Sequence, residues 1–188
     1  MRLRTSDTNP LRVDFLSAEA VKGSGRIGLT FAPGKKDLPG LWDRDLDADL
    51  DRLRGYYHAD VLVCLLESHE FTLLRIPDLL PTAKQRGIEL IWHPIRDVSV
   101  PKRMDEFVAV VEKILAFLNE GQTVVIHCRG GLGRSGLVAA SCLVAFRYET
   151  SDGIRFVREA RPGAIQTWEQ EIFITDFQSA WLDKHTAG

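Results

Sequence analysis

Residues 123–136 read TVVIHCRGGLGRSG, and this stretch predicts a buried strand, a tight glycine loop and the start of a helix. Its first four residues form a short β-branched run, which is typical of a strand covered on both faces. From Ser135 onward, apolar residues recur at helical spacing as far as Val144. The glycine loop therefore lies where the unpaired N–H groups of a helix N-terminus point, and such a position readily binds an anion.

The residues of this loop suit a phosphate ester as the bound anion. Glycines allow the positive backbone dihedrals with which successive N–H groups converge on one ligand. The guanidinium of Arg134 can grip two phosphate oxygens. Cys128 lies at the bottom of the loop, where these positive charges favour the nucleophilic thiolate. The predicted phosphate-binding residues are Arg129, Gly130, Gly131, Leu132, Gly133 and Arg134.

The loop resembles the signature of the cysteine-dependent protein phosphatases, HCxxGxxRS, at every fixed position. A buried structural cysteine before a glycine-rich turn is the alternative, but such a cysteine does not require an arginine and three glycines beside it. The letters also contain GxGxxG between Gly131 and Gly136, as in a dinucleotide site. Because a dinucleotide site would leave Cys128 and Arg134 without a role, we interpret the loop as a phosphatase loop.

The composition of the whole chain narrows the class of protein further. With 188 residues, 45% apolar and 27% charged, the chain predicts one domain over 1–188, in which residues 1–25 carry the weakest pattern. A net charge of −2 argues against a nucleic-acid partner, and no apolar run approaches a membrane span. Cys64, Cys128 and Cys142 are odd in number and lack metal-ligand spacing, which predicts a reducing compartment, by default the cytoplasm. We therefore expect no metal, nucleic acid or membrane among the ligands.

Hydrophobic periodicity predicts strands that alternate with helices, which is typical of an α/β fold with a mostly parallel sheet. Strands are expected at 11–16, 27–31, 60–66, 88–92 and 123–126, helices at 44–56, 77–86, 104–119, 134–148, 151–160 and 167–184, and a loop at 33–40. The acidic run at 43–51 is expected to form a solvated helix face. The aromatic residues expected in the core include Trp92, Phe107, Phe117 and Phe173.

Five further residues are candidates for the chemistry. Asp97 lies in a proline-bracketed loop after the fourth strand, where it could protonate a leaving oxygen, although its position leaves a turn-forming aspartate equally open. Ser135 can donate a hydrogen bond to the nucleophilic sulfur, or it can simply cap the helix. His127 is expected to orient the loop by bonding to the backbone. Gln166 and Gln170 could hold the attacking water, but helix-capping polarity explains them as well.

Stretches outside the loop are similar to the cyclin-dependent kinase-associated phosphatases, in the dual-specificity branch of the protein tyrosine phosphatase superfamily. These stretches are LPG at 38–40, the strand that ends in Cys64, HPIRD at 93–97 and PGAIQT at 162–167. The resemblance implies a single-domain fold of five strands flanked by helices, with Cys128 as nucleophile, Arg134 as phosphate-binding arginine and Asp97 as general acid. It also favours Gln166 as the residue that positions water, and it implies no cofactor.

The activity that this resemblance implies is hydrolysis of phosphotyrosine, and of phosphoserine or phosphothreonine, in a phosphoprotein substrate. Two alternatives stay open: a phosphatase for phosphoinositides or RNA 5′-phosphates, and an inactive phosphoprotein-binding module. The loop lacks the lysines of inositide phosphatases, and Arg129 is its only basic residue at a variable position. The resemblance is thin before residue 26, so the N-terminal third does not support a kinase partner.

Two sequence features bear on mobility and regulation. Arg96 stands where the family usually has a small residue or proline before the acid, and Val98-Ser99 stands where it usually has glycines after the acid. These two departures leave the mobility of the acid loop open. Cys64 ends one predicted strand and Cys128 follows another. Since neighbouring strands lie about 4.8 Å apart, the two thiols could form a redox disulfide if the registers agree. An inert buried Cys64 is the alternative.

Overall fold

A five-stranded sheet forms the centre of the computed structural model, which describes residues 3–37 and 39–186. Leu38, which begins the LPG stretch, lies outside the described residues. In chain order, the strands are β1 (Asp14–Phe15), β2 (Arg26–Phe31), β3 (Lys36–Asp37), β4 (Trp42–Asp43), β5 (Val61–Cys64), β6 (Glu89–Trp92) and β7 (Thr123–Cys128). The sheet has the order β1-β2-β7-β5-β6; β1 pairs antiparallel and the other pairs are parallel. This arrangement confirms the predicted α/β fold with a mostly parallel five-stranded sheet.

Strand β7 lies in the middle of the sheet and is buried along its whole length, as its β-branched residues predict. Its neighbours β2 and β5 place Leu29 and Val63 beside Ile126. Because these strands run parallel, their carboxyl ends meet at one edge of the sheet, and the loops that leave them gather there.

Helices cover both faces of this sheet. They are α1 (Leu46–Asp51), α2 (Ser68–Leu73), α3 (Leu79–Gln85), α4 (Met104–Asn119), α5 (Gly133–Ala145), α6 (Thr150–Ala160) and α7 (Trp168–Thr186). One buried cluster joins the sheet to α4, α5, α6 and α7, and a second joins it to α1, α2 and α3. Every residue of α5 is buried, because this helix packs between the sheet and its neighbours α4, α6 and α7. Among the described residues, no helix is both long enough and apolar enough to cross a bilayer.

Two segments differ in secondary structure from the sequence-based expectations. The predicted loop at 33–40 contains β3, which pairs with β4 as a separate two-stranded sheet. The predicted helix at 44–56 is α-helical only over α1 and continues as a π-helical segment, Arg52–Tyr56. Both differences lie in the connection between β2 and β5, outside the five strands of the main sheet.

Two side chains also lie in environments that their sequence patterns did not predict. Asp49, in the acidic run, is buried because its carboxylate binds the buried guanidinium of Arg44 at 2.7 and 2.8 Å. Trp92, expected in the core, is 48% exposed because β6 is an edge strand, and its indole N–H donates to the Leu66 carbonyl at 2.9 Å. Phe107 and Phe173 are buried as predicted, whereas Phe117 is half-buried.

Candidate active site

The glycine loop connects β7 to the N-terminus of α5, as the sequence predicts. Gly131 has a φ of +70°, a conformation that favours glycine. A Cβ at Gly131 would lie 2.4 Å from the carbonyl group of Thr30 on β2, so the close approach of the two backbones also requires glycine. In this conformation the N–H of Gly131 donates a hydrogen bond to the sulfur of Cys128 at 3.2 Å.

Cys128 lies at the floor of the loop with 3% of its surface exposed. Ser135 is fully buried, and its hydroxyl oxygen lies 3.7 Å from the Cys128 sulfur. The N–H of Gly131 and the hydroxyl of Ser135 can therefore both donate to a thiolate, which is the arrangement that stabilises negative charge on sulfur. The structure brings together Cys128 and Ser135 as the sequence predicted.

Arg134 is held by groups that lie outside the glycine loop. It is 1% exposed, and Glu70 binds it through two hydrogen bonds, from Nη1 to Oε2 at 2.6 Å and from Nη2 to Oε1 at 2.9 Å. Nη1 also donates to the carbonyl oxygens of Ile95 and Leu65 at 2.9 and 3.3 Å. Nε is buried and has no hydrogen-bond partner among the described residues. The edge formed by Nε and Nη2 is thus the one that can receive two phosphate oxygens.

Glu70 is a site residue that sequence reasoning missed. It lies on α2, where its carboxylate also accepts a hydrogen bond from the backbone N–H of Glu67 at 2.9 Å. Burial acts to raise the pKa of Glu70, but hydrogen bonds from Arg134 hold it below the usual value, so the carboxylate stays ionised. The available signal was the spacing of Glu67 and Glu70, which is that of a capping box. A capping-box spacing does not predict an ion pair with an arginine that lies 64 residues further along the chain.

Asp97 lies in the loop after β6 and contacts the same guanidinium. Its Oδ1 atom lies 2.9 Å from Nη2 of Arg134, and 48% of its side chain is exposed. The next residue, Val98, has a φ of +56° and donates its N–H to Asp97 Oδ1 at 3.1 Å. The sequence departure at Val98 therefore falls on a residue in the left-handed region, which glycine adopts without strain.

The two predicted glutamines both lie against the glycine loop, but in different environments. Gln170 is fully buried: its Oε1 accepts the N–H of Gln166 at 2.9 Å, and its Nε2 donates to the Ser99 carbonyl at 3.1 Å. Gln166 is exposed, and a Cβ at Gly133 would lie 2.9 Å from its Oε1 atom. Gln170 thus ties the glutamine loop to the acid loop, and Gln166 is the one with an amide at the open side of the crevice.

His127 was predicted to orient the loop by a hydrogen bond to the backbone. The ring is fully buried, and neither of its nitrogens has a hydrogen-bond partner among the described residues. Burial lowers the pKa of His127 to about 4, so the ring is neutral at physiological pH. The Cys128 backbone is near enough to the ring to raise this pKa, and the loop-orienting role of His127 stays a prediction.

Cys64 and Cys128 do not share the register on which the disulfide hypothesis depends. The pairing of β5 with β7 places Cys64 opposite His127, and the two thiols belong to the clusters on opposite faces of the sheet. All three cysteines are free, and burial raises the pKa of Cys64 to about 12. A bond between Cys64 and Cys128 therefore requires local movement at the strand ends.

Arg129 contributes to the loop through its backbone, since its side chain is turned toward the β3–β4 hairpin. Its guanidinium lies 3.2 Å from the carboxylate of Asp37. The described part of the chain contains no group of three or more His, Cys, Asp or Glu side chains arranged to hold a metal ion.

A thiol on the floor of an N–H-lined loop, with a buried arginine at its rim, defines a cysteine-based phosphatase. The family model described as Cyclin-dependent kinase inhibitor 3 (CDKN3) matches residues 4–155, and the chain belongs to this family. The resemblance read from the sequence is confirmed. The match begins at residue 4, so the family pattern also covers the stretch before residue 26, where the resemblance read from the sequence is thin.

Individual relatives agree with this assignment. The human protein Cyclin-dependent kinase inhibitor 3 is 32% identical over 178 residues, which cover 92% of this chain and 81% of the relative. A solved structure of kinase associated phosphatase, with serine in place of its catalytic-site cysteine, is 30% identical, with a TM-score of 0.84 over 96% of this chain and 98% of that one. The active form of Tk-PTP is 27% identical, with a TM-score of 0.70 over 89% and 96% of the two chains. The chain is a dual-specificity protein phosphatase, and hence a phosphoric monoester hydrolase.

Proposed function

We propose that the chain hydrolyses phosphotyrosine, and phosphoserine or phosphothreonine, in proteins through a phosphocysteine at Cys128. The observation that carries this proposal is the convergence of polar groups on one sulfur. The N–H of Gly131 and the hydroxyl of Ser135 face the thiol, and Arg134 offers its Nε–Nη2 edge at the same crevice. Asp97 forms an ion pair with Nη2 of that edge, at 2.9 Å.

In the first step, the thiolate of Cys128 attacks phosphorus, the S–P bond forms and the P–O bond to the substrate breaks. The loop N–H groups and Arg134 hold the equatorial oxygens, where negative charge accumulates. Asp97 donates its proton to the leaving oxygen, which departs as the free hydroxyl of tyrosine, serine or threonine.

In the second step, a water molecule attacks the phosphocysteine and the S–P bond breaks, which releases inorganic phosphate. Gln166 is proposed to hold this water, and Asp97, now a carboxylate, accepts its proton. Ser135 donates a hydrogen bond to the departing sulfur, which favours the thiolate over the phosphocysteine. The buried Gln170 acts through the position of Gln166 and the acid loop.

A phosphorylated protein kinase is the proposed substrate class. The human relative is named for a cyclin-dependent kinase, and the similar solved phosphatase is named as kinase-associated. The family match from residue 4 supports this proposal, because it includes the N-terminal region that the sequence alone left out. The three free thiols support a reducing compartment, and we propose the cytoplasm.

Phosphoinositides and RNA 5′-phosphates are less favoured as substrates. The basic residue at a variable position of the loop, Arg129, is paired with Asp37, so its charge is partly neutralised before any polyanionic headgroup binds. The loop offers no lysine in its place.

The proposed function is tested by parallel assays of p-nitrophenyl phosphate, phosphopeptides carrying each hydroxyl amino acid, phosphoinositides and RNA 5′-ends. We expect turnover of the phosphopeptides, and mass spectrometry after a rapid acid quench should find phosphate on Cys128. Cys128→Ser should abolish turnover but retain phosphopeptide binding, because the loop and Arg134 remain. Comparable turnover by the serine variant would rule out the covalent mechanism.

A further inference from the structure

Three consecutive carbonyl groups of the phosphate-binding loop are held from outside by two cationic side chains. Nζ of Lys35 donates to the carbonyl oxygen of Arg129 at 3.3 Å. Arg161 donates from Nη2 to the carbonyl of Gly130 at 3.2 Å and from Nε to the carbonyl of Gly131. Neither cation belongs to the HCxxGxxRS pattern, and they come from opposite ends of the chain.

These contacts bear on where the loop N–H groups point, and the backbone N–H of Ala32 also donates to the Arg129 carbonyl, at 3.4 Å. In a trans peptide the C=O group and the N–H group of the next residue point in opposite directions. A carbonyl of residues 129–131 that is held outward therefore directs the N–H groups of Gly130, Gly131 and Leu132 inward. The N–H of Gly131 does point inward, because it donates to the sulfur of Cys128 at 3.2 Å.

Arg161 is itself fixed by the N-terminal part of the sheet. It lies at the C-terminal cap of α6, is 13% exposed, and pairs through Nη1 with the carboxylate of Asp14 on β1. Asp14 also binds Arg12 at 2.6 Å. Removal of the Arg161 side chain therefore does not leave Asp14 without a cation, and a variant at 161 is expected to fold.

Lys35 is fixed by burial between two aromatic rings. It is 6% exposed, and its Nζ atom lies 4.1 Å from the ring centre of Trp42 and 4.8 Å from that of Phe31. Contacts of this kind stabilise an ammonium group that has lost water. The ammonium group is thus fixed beside the loop by contacts that do not involve the catalytic side chains.

We propose that Arg161 and Lys35 are positioning residues of the phosphatase reaction, which hold the loop in its anion-binding conformation without touching the substrate. The proposal deepens the proposed function and rests on it for the identity of the anion. Two positive charges behind the loop also add to the field that favours a bound oxyanion and a thiolate.

The proposal predicts that Arg161→Met weakens the binding of tungstate, a tetrahedral oxyanion, about tenfold, with a 10- to 100-fold loss of kcat/KM, the usual size for misplaced catalytic groups. Calorimetry measures tungstate affinity, and the rate of iodoacetamide alkylation at a fixed pH measures the reactivity of Cys128. Alkylation of Arg161→Met should be about threefold slower or more, because the loop donors no longer favour the thiolate. Burial raises the pKa of both Cys64 and Cys142 to about 12, so the reaction reports Cys128.

Arg155→Met is the matched control, because it removes the same charge from the exposed side of α6 and leaves the loop alone. A folded Arg161→Met with wild-type tungstate affinity and alkylation rate would overturn the role of Arg161. If Arg161→Met melts early, Arg161→Lys decides, since it keeps the charge but reaches fewer carbonyls and should bind tungstate several-fold more weakly.

Lys35→Met should also weaken tungstate binding, and unchanged affinity would overturn the role of Lys35. Wild-type protein that binds tungstate but hydrolyses no phosphate ester would instead contradict the proposed function.

Discussion

Oδ1 of Asp97 lies 2.9 Å from Nη2 of Arg134, so the proposed acid forms an ion pair with the proposed phosphate-binding group. A phosphate held along the Nε–Nη2 edge would place an oxygen next to the same Nη2 atom. We therefore expect substrate binding to displace Asp97, whose side chain is 48% exposed, from the guanidinium. Such an exchange would couple arrival of the phosphate to delivery of the acid.

Asp97→Asn should lower kcat by about 10²–10⁴-fold, the usual worth of general acid catalysis. The loss should be largest for phosphoserine peptides, whose leaving group is poor, and small for an activated aryl phosphate. Steady-state kinetics with a series of aryl phosphates checks this expectation. An equal loss for every leaving group would assign Asp97 a structural role only.

Glu70→Gln should destabilise the fold by about 3 kcal/mol, because it breaks a buried ion pair and leaves the buried positive charge of Arg134 without its carboxylate partner. The pKa of Glu70 is below its ordinary value of 4.5 in the folded protein. Its stabilising effect is therefore present above pH 4.5 and is lost as the pH falls through the folded value. Urea denaturation of both proteins at several pH values should show the gap closing in acid. The exposed Glu89→Gln is the control, and a gap independent of pH would contradict the ion-pair account.

Val98→Gly should stabilise the protein by about 0.5–1 kcal/mol. A β-branched residue at positive φ costs about 1–2 kcal/mol, and part of this gain is lost because glycine raises the entropy of the unfolded chain. Val98→Ala removes the β-branch but keeps a Cβ, so it separates backbone strain from side-chain loss. Thermal unfolding measures both variants. A glycine variant less stable than the alanine variant would mean that Val98 is not strained.

Tungstate binding should weaken as the pH rises past about 8, because burial lowers the pKa of Lys35 to about 8 and its charge is lost above that value. Asp37 and Cys128 act to raise this pKa, and Arg129 and Arg44 act to lower it. Lys35→Arg keeps its charge and should flatten the profile between pH 7 and 9.5. Identical profiles for the two proteins would remove Lys35 as the titrating group.

Mild peroxide should inactivate the protein by oxidation of Cys128, and we expect a Cys64–Cys128 cross-link that a dithiol reverses. The cross-link has to form against the observed register, so it should appear slowly. Peptide mapping detects it, and Cys64→Ser should then recover less activity than wild type. Full recovery of that variant would leave Cys64 as a core residue only.

The strand–loop–helix unit and the helix Met104–Asn119 could be predicted from sequence, because their signals are local: a β-branched run, a glycine loop and an apolar stripe. Cys128, Ser135 and Asp97 were found through their motifs. Glu70, Arg161 and Lys35 were missed, because their partners lie 64, 30 and 94 residues away in the chain. Trp92 was placed in the core because periodicity does not tell an edge strand from a central one.

The contact of Gly131 with the backbone of Thr30 means that the signature loop is not a portable unit. Residues 123–136 transplanted onto another strand and helix would keep the cysteine, the glycines and the arginine. They would lose the β2 backbone that packs against Gly131 and the Glu70 carboxylate that binds the guanidinium. They would also lose Lys35 and Arg161, which donate to the loop carbonyls. A designer who wished to move this chemistry to a new scaffold would have to move three further segments with the loop, around residues 30–35, Glu70 and Arg161.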